Sequence, residues 1–474
     1  MTSATASSSE HHYELIVIGA GPIGEVLAQA VAAEGMSTAI VEHDLVGGDC
    51  AYYACKPSKA LLHPIQVAHE SQHLGGVQSA SVVADDLLAR RNAQVSHYDD
   101  SAQKQALEES GVTVVRGHGR LTGEKSVEVH ASDGSTRSLQ AERAVVITTG
   151  TAPNIPPVFE GIPVWDSQDA TAVQDVPPRL IIIGGGPVAC EAASWMSALG
   201  SKVTMLIREG SLLTGFEPFV SDILTEQLEQ SGVDIQFYTE AVQVRRPEGM
   251  DQGLGMIKGG PITVRTASAS IEADELLLAT GRRPALDSIN LASVGLSVDD
   301  VLEERTPDWL HALGDAGGKH QLTHMGKYQS RQFAARFIHS AEAPDADNTD
   351  TEPPTPQVVF TDPQIAFVGL SEEAAREAGY DVITAEANFA DVAGAALLRD
   401  DVVGRAKIVV DTATDCLIGA TLMGPETAEM LHAATIAITA DVPVSILQHA
   451  VPAFPTASEV WLGLLQQVAD SAGR

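Results

Sequence analysis

Two glycine-rich turns, each between a short apolar run and a helix-like stretch, constrain the fold of this chain more than any other feature. The first apolar run covers residues 13–18 and leads into the turn GAGPIG at 19–24. A helical stretch follows at 25–33, and a second apolar run ends at Glu42. This order predicts a βαβ unit with parallel strands.

The glycines of this turn stand where a dinucleotide phosphate requires them. Gly19 permits a tight turn, Gly21 lets the backbone approach a pyrophosphate, and Gly24 lets the helix pack on the strand. Glu42 ends the second strand, where its carboxylate can accept hydrogen bonds from a ribose diol. We predict a dinucleotide site here; the alternative is a glycine-rich turn that holds no ligand.

The same pattern returns about 165 residues later. An apolar run at 179–183 leads into GGGPVA at 184–189, a helical stretch covers 191–199, and a further strand ends at Arg208. The repeat predicts an α/β fold with two Rossmann-like dinucleotide-binding domains.

Gly184 and Gly186 are the expected phosphate-binding glycines of this second unit. Ile207 occupies the position of the acid that would bind an NAD ribose, and Arg208 follows it. A guanidinium suits a 2′-phosphate, so the pattern favours NADPH. The alternative is a solvated Arg208, with NADH bound through Glu209 or another group. Two nucleotide sites in one chain imply an internal electron path, with a flavin in one of them.

Two of the four cysteines, Cys50 and Cys55, lie close together in the segment GGDCAYYACKPSK at 47–59. A short disulfide at the start of a helix can accept two electrons, because the helix N-terminus and nearby cations stabilise the thiolates. No second cysteine pair lies at zinc-ligand spacing, so we predict redox chemistry and no metal site.

Composition excludes several classes of function. The 474 residues suggest about three domains. The net charge of −34 repels phosphate backbones and anionic lipids, so neither a nucleic-acid nor a membrane partner is expected. No apolar run approaches the roughly 18 residues of a membrane helix. No Lys or Arg precedes Lys56, so we expect no secretory signal and a cytoplasmic protein.

The second glycine-rich turn extends to GGGPVACE at 184–191, and three further motifs complete a recognisable set: ATGRRP at 279–284, ALGD at 312–315 and FTDP at 360–363. With both glycine-rich turns and the cysteine segment, the chain resembles the flavin-dependent pyridine nucleotide-disulfide oxidoreductases. Dihydrolipoamide dehydrogenase, glutathione reductase and mercuric reductase belong to that family. The resemblance covers nearly the whole chain after residue 13 and implies a homodimer that uses FAD and NAD(P)H.

The resemblance also implies a domain order that ends in a C-terminal α+β dimerisation domain. The predicted segments are a disordered N-terminus at 1–12, an FAD-binding domain at 13–152, an NAD(P)H-binding domain at 153–276, a central domain completing the FAD site at 277–340, an acidic Pro-rich linker at 341–357, and the dimerisation domain at 358–474.

By resemblance, Cys55 lies against the flavin as the charge-transfer thiolate, and Cys50 is the outer, interchange thiol. Lys59 is expected to pair with Glu191 beside the flavin and nicotinamide rings. Asp315 would hydrogen-bond the FAD ribityl chain, the alternative being a helix cap. The motifs add these cofactor-binding positions: Gly48, Thr149, Gly150 and Gly281.

The chain departs from the family in its C-terminal motif. The family carries a His-Pro-Thr segment followed by a Glu, and the His–Glu pair serves as acid and base for the outer thiol. Here Phe454 stands in the His position, while Glu459 remains as the orienting acid. Phenylalanine cannot move a proton, so disulfide reduction by the usual route should be slow. His449 is an alternative base.

A second departure is Asp49, where the family commonly has Thr. An anion beside Cys50 is expected to raise the pKa of that thiol. Tyr52 and Tyr53 either pack or line an acceptor pocket. No cysteine follows Cys416, so the C-terminal thiol pair of mercuric reductase is missing. This argues against mercuric reductase activity.

These observations predict an FAD-dependent NADPH oxidoreductase that passes electrons to the cysteine pair or to a small acceptor such as a quinone. One alternative is a reductase or oxidase of disulfides and dithiols, with a substitute base. The other is a weakly catalytic flavin-binding redox sensor or complex component.

Overall fold

The computed structural model describes residues 11–339 and 353–473. The chain divides into two compact units, each built from three segments. The first unit comprises Met1–Pro57, Arg91–Asn154 and Gly281–Asn348, and the second comprises Ser58–Arg90, Ile155–Thr280 and Thr349–Arg474.

The strands of the described residues fall into five sheets. They are β1 His11–Ile18, β2 Thr38–Glu42, β3 Val112–Arg116, β4 His118–Gly123, β5 Ser126–His130, β6 Thr136–Ile147, β7 Thr151–Pro153, β8 Arg179–Ile183, β9 Lys202–Leu206, β10 Asp234–Gln236, β11 Gln243–Arg245, β12 Ile262–Arg265, β13 Ser270–Ala273, β14 Glu275–Leu278, β15 Arg282–Pro284, β16 Leu310–Ala312, β17 Gln357–Val359, β18 Gln364–Gly369, β19 Val382–Asn388, β20 Arg405–Asp411 and β21 Cys416–Gly424.

The α-helices of the same residues are α1 Pro22–Ala33, α2 Gly48–Tyr52, α3 Cys55–Gln72, α4 Ala84–Gln94, α5 Ser101–Glu109, α6 Ser167–Thr171, α7 Pro187–Ala198, α8 Pro218–Gln230, α9 Val298–Leu302, α10 Thr323–His339, α11 Glu372–Glu377, α12 Ala393–Ala396, α13 Thr427–Thr439, α14 Val444–Leu447 and α15 Val460–Ser471. None is long and apolar enough to cross a membrane, among the residues that the structure describes.

The first unit contains the first predicted βαβ element. Its main sheet has the order β3-β2-β1-β6-β5-β4, with β16 also paired to β6. β1 pairs in parallel with both β2 and β6, so its last four residues are buried, as a central strand requires. β1 begins at His11, inside the segment predicted to be disordered, while residues 1–10 lie outside the described part of the chain.

The second unit contains the second predicted βαβ element, in a parallel sheet of order β10-β9-β8-β14. β8 spans 179–183 as predicted, and α7 begins at Pro187, four residues before the expected start. Proline at the first helical position is favoured, because its missing N–H would have no partner there. The parallel strands at the centre of the first sheet and throughout the second confirm the predicted α/β class.

The C-terminal part of the second unit is a five-stranded antiparallel sheet of order β17-β18-β21-β20-β19. Helices α13 and α15 pack on it through apolar residues such as Leu431 and Leu464. This confirms the predicted α+β domain. Most of the predicted linker, 341–352, lies outside the described residues, and β17 begins at the last linker position, Gln357. The domain boundaries stay a prediction.

Candidate active site

The first glycine-rich turn is shaped as a phosphate cradle. Gly19 has a φ of +109°, and a Cβ there would lie 2.5 Å from the carbonyl oxygen of Thr148. A Cβ on Gly24 would lie 2.1 Å from the carbonyl oxygen of Gly19, so only glycine lets α1 start this close to β1. A Cβ on Gly21 would meet nothing within 4 Å, which leaves that face open for a pyrophosphate.

Glu42 ends β2 as a buried carboxylate. It accepts hydrogen bonds from the backbone N–H of Ala20 at 2.7 Å and of Asp44 at 2.8 Å. Burial raises the pKa of Glu42, but hydrogen bonds from His43, Asp44 and Ala20 outweigh it and hold the pKa below its ordinary value. Glu42 is therefore an anion with remaining lone pairs, as recognition of a ribose diol requires.

The four cofactor-binding positions that the motifs added all have roles in backbone conformation or packing. A Cβ on Gly48 would lie 2.8 Å from the Cα of Gly21, so the cysteine segment packs directly on the phosphate cradle. Gly150 and Gly281 have φ values of +70° and +94°. The Thr149 hydroxyl donates to a backbone carbonyl at 2.8 Å, so it also supports the loop.

Arg282, at the start of β15, forms an ion pair with one acidic side chain of the first unit and acts electrostatically on a second. Its guanidinium lies 2.8 Å from Asp49 and donates to the carbonyl of Thr151 at 2.6 Å. Burial raises the pKa of Asp315, and the charges of Arg282 and Asp49 act on it in opposite directions. The cap position of the 3-10 turn Gly314–Gly317 is Leu313, so the alternative of Asp315 as a helix cap is wrong.

The two cysteines of the predicted redox pair are thiols in the structure. Cys50 lies in α2, Cys55 begins α3, and the Cys55 sulfur lies 3.6 Å from the Thr323 hydroxyl. The pKa of Cys50 is raised, first by its hydrogen bond with Cys55 and then by burial, while Thr323 and Lys327 lower it. The predicted direction is therefore right, but Cys55 and burial cause the shift rather than Asp49.

The structure brings Lys59 and Glu191 together, as the resemblance implied. The Lys59 ammonium, on α3, lies 3.1 Å and 2.9 Å from the two carboxylate oxygens of Glu191 on α7. Glu191 is buried and also accepts the backbone N–H of Phe360 at 2.9 Å, and the ammonium lies 4.7 Å from the centre of the Phe360 ring. Glu191 therefore holds the Lys59 ammonium in place, and a cation favours a reduced, anionic flavin when one lies nearby.

The second glycine-rich turn repeats the first. Gly184 has a φ of +124°, and a Cβ there would lie 2.4 Å from the Ala279 carbonyl oxygen. A Cβ on Gly186 would meet nothing within 4 Å, so the N-terminus of α7 is open. The exposed Arg208 guanidinium donates to Glu209 at 2.7 Å, so the predicted 2′-phosphate ligand already has an acidic partner.

The C-terminal motif presents no proton donor at its tip. Phe454 is 77% exposed. The Glu459 carboxylate accepts a hydrogen bond from the backbone N–H of Gly394 at 3.3 Å. It therefore contacts a backbone amide rather than a catalytic histidine. His449 is also exposed, on the segment that precedes Phe454.

Sequence reasoning missed four contributors: Thr323, Lys327, Arg282 and Phe360. Arg282 lies in the motif ATGRRP and Phe360 in the motif FTDP, so the sequence marks their positions but does not predict their contacts. Thr323 and Lys327 lie on α10, more than 250 residues from the cysteines, and no sequence pattern connects them.

Two nucleotide cradles and a dithiol define a dinucleotide-dependent dithiol oxidoreductase. Residues 13–330 match the pyridine nucleotide-disulphide oxidoreductase family, and residues 355–464 match its dimerisation domain. The chain belongs to this family, whose members depend on FAD and take electrons from NAD(P)H.

The proteins that are similar to this chain differ in their named activities. A dihydrolipoyl dehydrogenase of Haloferax volcanii is 30% identical over 94% of each chain. A mercuric reductase of Acidithiobacillus ferrooxidans is 28% identical over 92% of this chain and 78% of its own length. The structure of a Cu(II) complex of the HOCl-induced flavoprotein disulfide reductase RclA from Escherichia coli superposes with a TM-score of 0.82, at 26% identity, over 97% of this chain and 100% of that one.

Proposed function

We propose that this chain is an NADPH-dependent oxidoreductase whose final acceptor needs no proton from a protein base, with a quinone as the first candidate. One observation carries the proposal: an exposed Phe454 stands where the family places its acid–base histidine. A quinone can take its protons from water, whereas a departing thiolate gains most from a positioned acid.

The residues present fit both nucleotides, because each cradle has an open glycine at a helix N-terminus. When bound, FAD would supply two-electron transfer between the reduced nicotinamide and an acceptor. In this proposal, Cys50 and Cys55 store an electron pair as a dithiol. Lys59, held by Glu191, supplies the positive charge near the rings.

A disulfide or dithiol substrate is the second candidate, and the retention of both cysteines favours it. It would require another proton carrier, for which His449 and Tyr52 are the candidates. A redox-sensor role is the third candidate function.

We further propose a homodimer, supported by the matched dimerisation domain, and a cytoplasmic location, where a reducing environment suits a reactive thiol pair.

The acceptor is tested by reducing the purified holoenzyme anaerobically with one equivalent of NADPH and following the flavin absorbance after acceptor is added. Rapid reoxidation by a quinone, with slow reoxidation by a panel of disulfides, is the expected result. Rapid reoxidation by a disulfide alone would overturn the quinone proposal. If NADPH fails to bleach the flavin, the redox-sensor reading gains support.

We expect Arg208 to set the preference for NADPH. Because its guanidinium is exposed and shared with Glu209, Arg208→Ala should lower kcat/KM for NADPH by only about tenfold and leave the value for NADH unchanged. Steady-state kinetics with both nucleotides measure this. Glu209→Gln is the matched variant and should improve NADPH use by freeing the guanidinium. A wild-type enzyme that prefers NADH would contradict the NADPH assignment.

A further inference from the structure

Two histidines at the end of α3 face each other in the second unit. His69 lies in the last turn of the helix, and His73 follows its last residue. Their Nε2 atoms are 3.1 Å apart. Both rings are partly accessible, with side-chain exposures of 33% and 29%, so solvent reaches the pair.

The opposite nitrogen of each ring contacts a carboxylate. His69 Nδ1 contacts Asp362, and His73 Nδ1 lies 2.6 Å from Asp401. A carboxylate accepts only, so each Nδ1 carries a hydrogen and donates it.

With Nδ1 donating to a carboxylate, each ring can present an Nε2 lone pair to a ligand. The two Nε2 atoms are close enough for one cation to contact both. Two nitrogens bound to one metal at about 2.0–2.1 Å lie about 2.9 Å apart at a right angle and about 3.3 Å apart at the tetrahedral angle. The observed separation of 3.1 Å falls between these values.

We propose that His69 and His73 bind a divalent transition-metal ion of the zinc or copper class through Nε2. Imidazole suits these ions, and a carboxylate on the other ring nitrogen is the usual support of a histidine ligand. No third His, Cys, Asp or Glu completes a ligand group among the described residues, so water fills the remaining positions.

The surroundings favour a cation at this place. Arg399 lies 3.2 Å from Asp362 and 2.9 Å from Asp401, so it orients both carboxylates but offsets only one of their two charges. Two carboxylates with one guanidinium leave a net negative charge beside the rings, which attracts a metal ion.

The binding turn is also held by backbone contacts. Asp400 donates its N–H to the carbonyl of His73 at 2.9 Å, and its carboxylate accepts the N–H of Gly75 at 2.6 Å. Since the turn that carries Asp401 is fastened to the turn that carries His73, the supporting carboxylate is fixed before any ion arrives.

The test is calorimetric titration of the oxidised holoenzyme with Zn²⁺, so that Cys50 and Cys55 are joined in a disulfide and cannot compete. We expect one site whose affinity falls at least tenfold in His73→Asn, and about 10–100-fold in the supporting variant Asp401→Asn. His432→Asn, which removes an exposed histidine from α13, should bind as the wild type does. In the wild type, Cu²⁺ should give an electron paramagnetic resonance spectrum with two nitrogen donors.

Zn²⁺ affinity that is equal in the wild type, His73→Asn and Asp401→Asn would overturn the proposal, because the ion would then bind elsewhere. No Zn²⁺ binding at all would also overturn it and leave a proton shared between the rings. If His73→Asn loses FAD, or if circular dichroism shows that it does not fold, the Zn²⁺ affinity of Asp401→Asn alone tests the proposal. Asp401 is 56% exposed, and its replacement leaves both rings in place.

Discussion

Replacing Phe454 by histidine should raise kcat/KM for a disulfide substrate by about 10²–10⁴-fold, the usual contribution of a positioned general acid or base. The side chain at this position is exposed, so histidine needs no repacking. Glu459 remains in the chain and requires only a change of partner from the Gly394 amide to the new ring. Turnover of a disulfide panel by wild type and Phe454→His, with NADPH in excess, measures the gain.

The matched control is Phe454→Asn, which introduces a polar side chain without a group that titrates. It should leave disulfide turnover close to the wild-type value. Adding Glu459→Gln to Phe454→His should remove part of the gain, because the ring would lose its orienting anion. Equal disulfide turnover in wild type and Phe454→His would mean that another residue already moves the proton, and His449 and Tyr52 would be the first to replace.

The parallel sheets and the nucleotide turns were predictable because local rules determine them. A buried parallel strand reads as an apolar run, and a turn that bears phosphate needs glycine where a Cβ would strike a carbonyl, as at Gly19 and Gly184. Element ends were less predictable. Strand β1 begins at His11, because pairing with β6 extends it through two histidines that carry no strand signal of their own.

The environment of the thiols was not predictable, because it depends on contacts distant in sequence. No Lys or Arg neighbours Asp49 in the sequence to compensate its charge, and the structure supplies a cation from Arg282, 233 residues away. Thr323 and Lys327 reach Cys50 through the packing of α10, which follows no motif. The pair His69 and His73 is visible in the sequence as two histidines four residues apart, but its two carboxylates come from the distant residues 362 and 401.

Replacing Cys50 by serine should distinguish electron transfer to a disulfide through the dithiol from direct electron transfer to a quinone. A disulfide must be attacked by the outer thiol, so Cys50→Ser should lower disulfide turnover by more than about 10³-fold. If a quinone accepts electrons without the dithiol, its turnover by Cys50→Ser should fall by no more than about twofold. Stopped-flow reoxidation of the reduced variant, with each acceptor in turn, measures both effects on one preparation.

The control is Cys416→Ser, because Cys416 is buried and donates to the carbonyls of Thr414 and Asp441, which a serine hydroxyl can also reach. It should change neither acceptor rate. If Cys50→Ser loses quinone and disulfide turnover together, electrons must leave through the dithiol, and direct transfer to the quinone is wrong. In that case the raised pKa of Cys50 becomes the quantity to explain, because a thiol held protonated by Cys55 and by burial needs a base that Phe454 cannot provide.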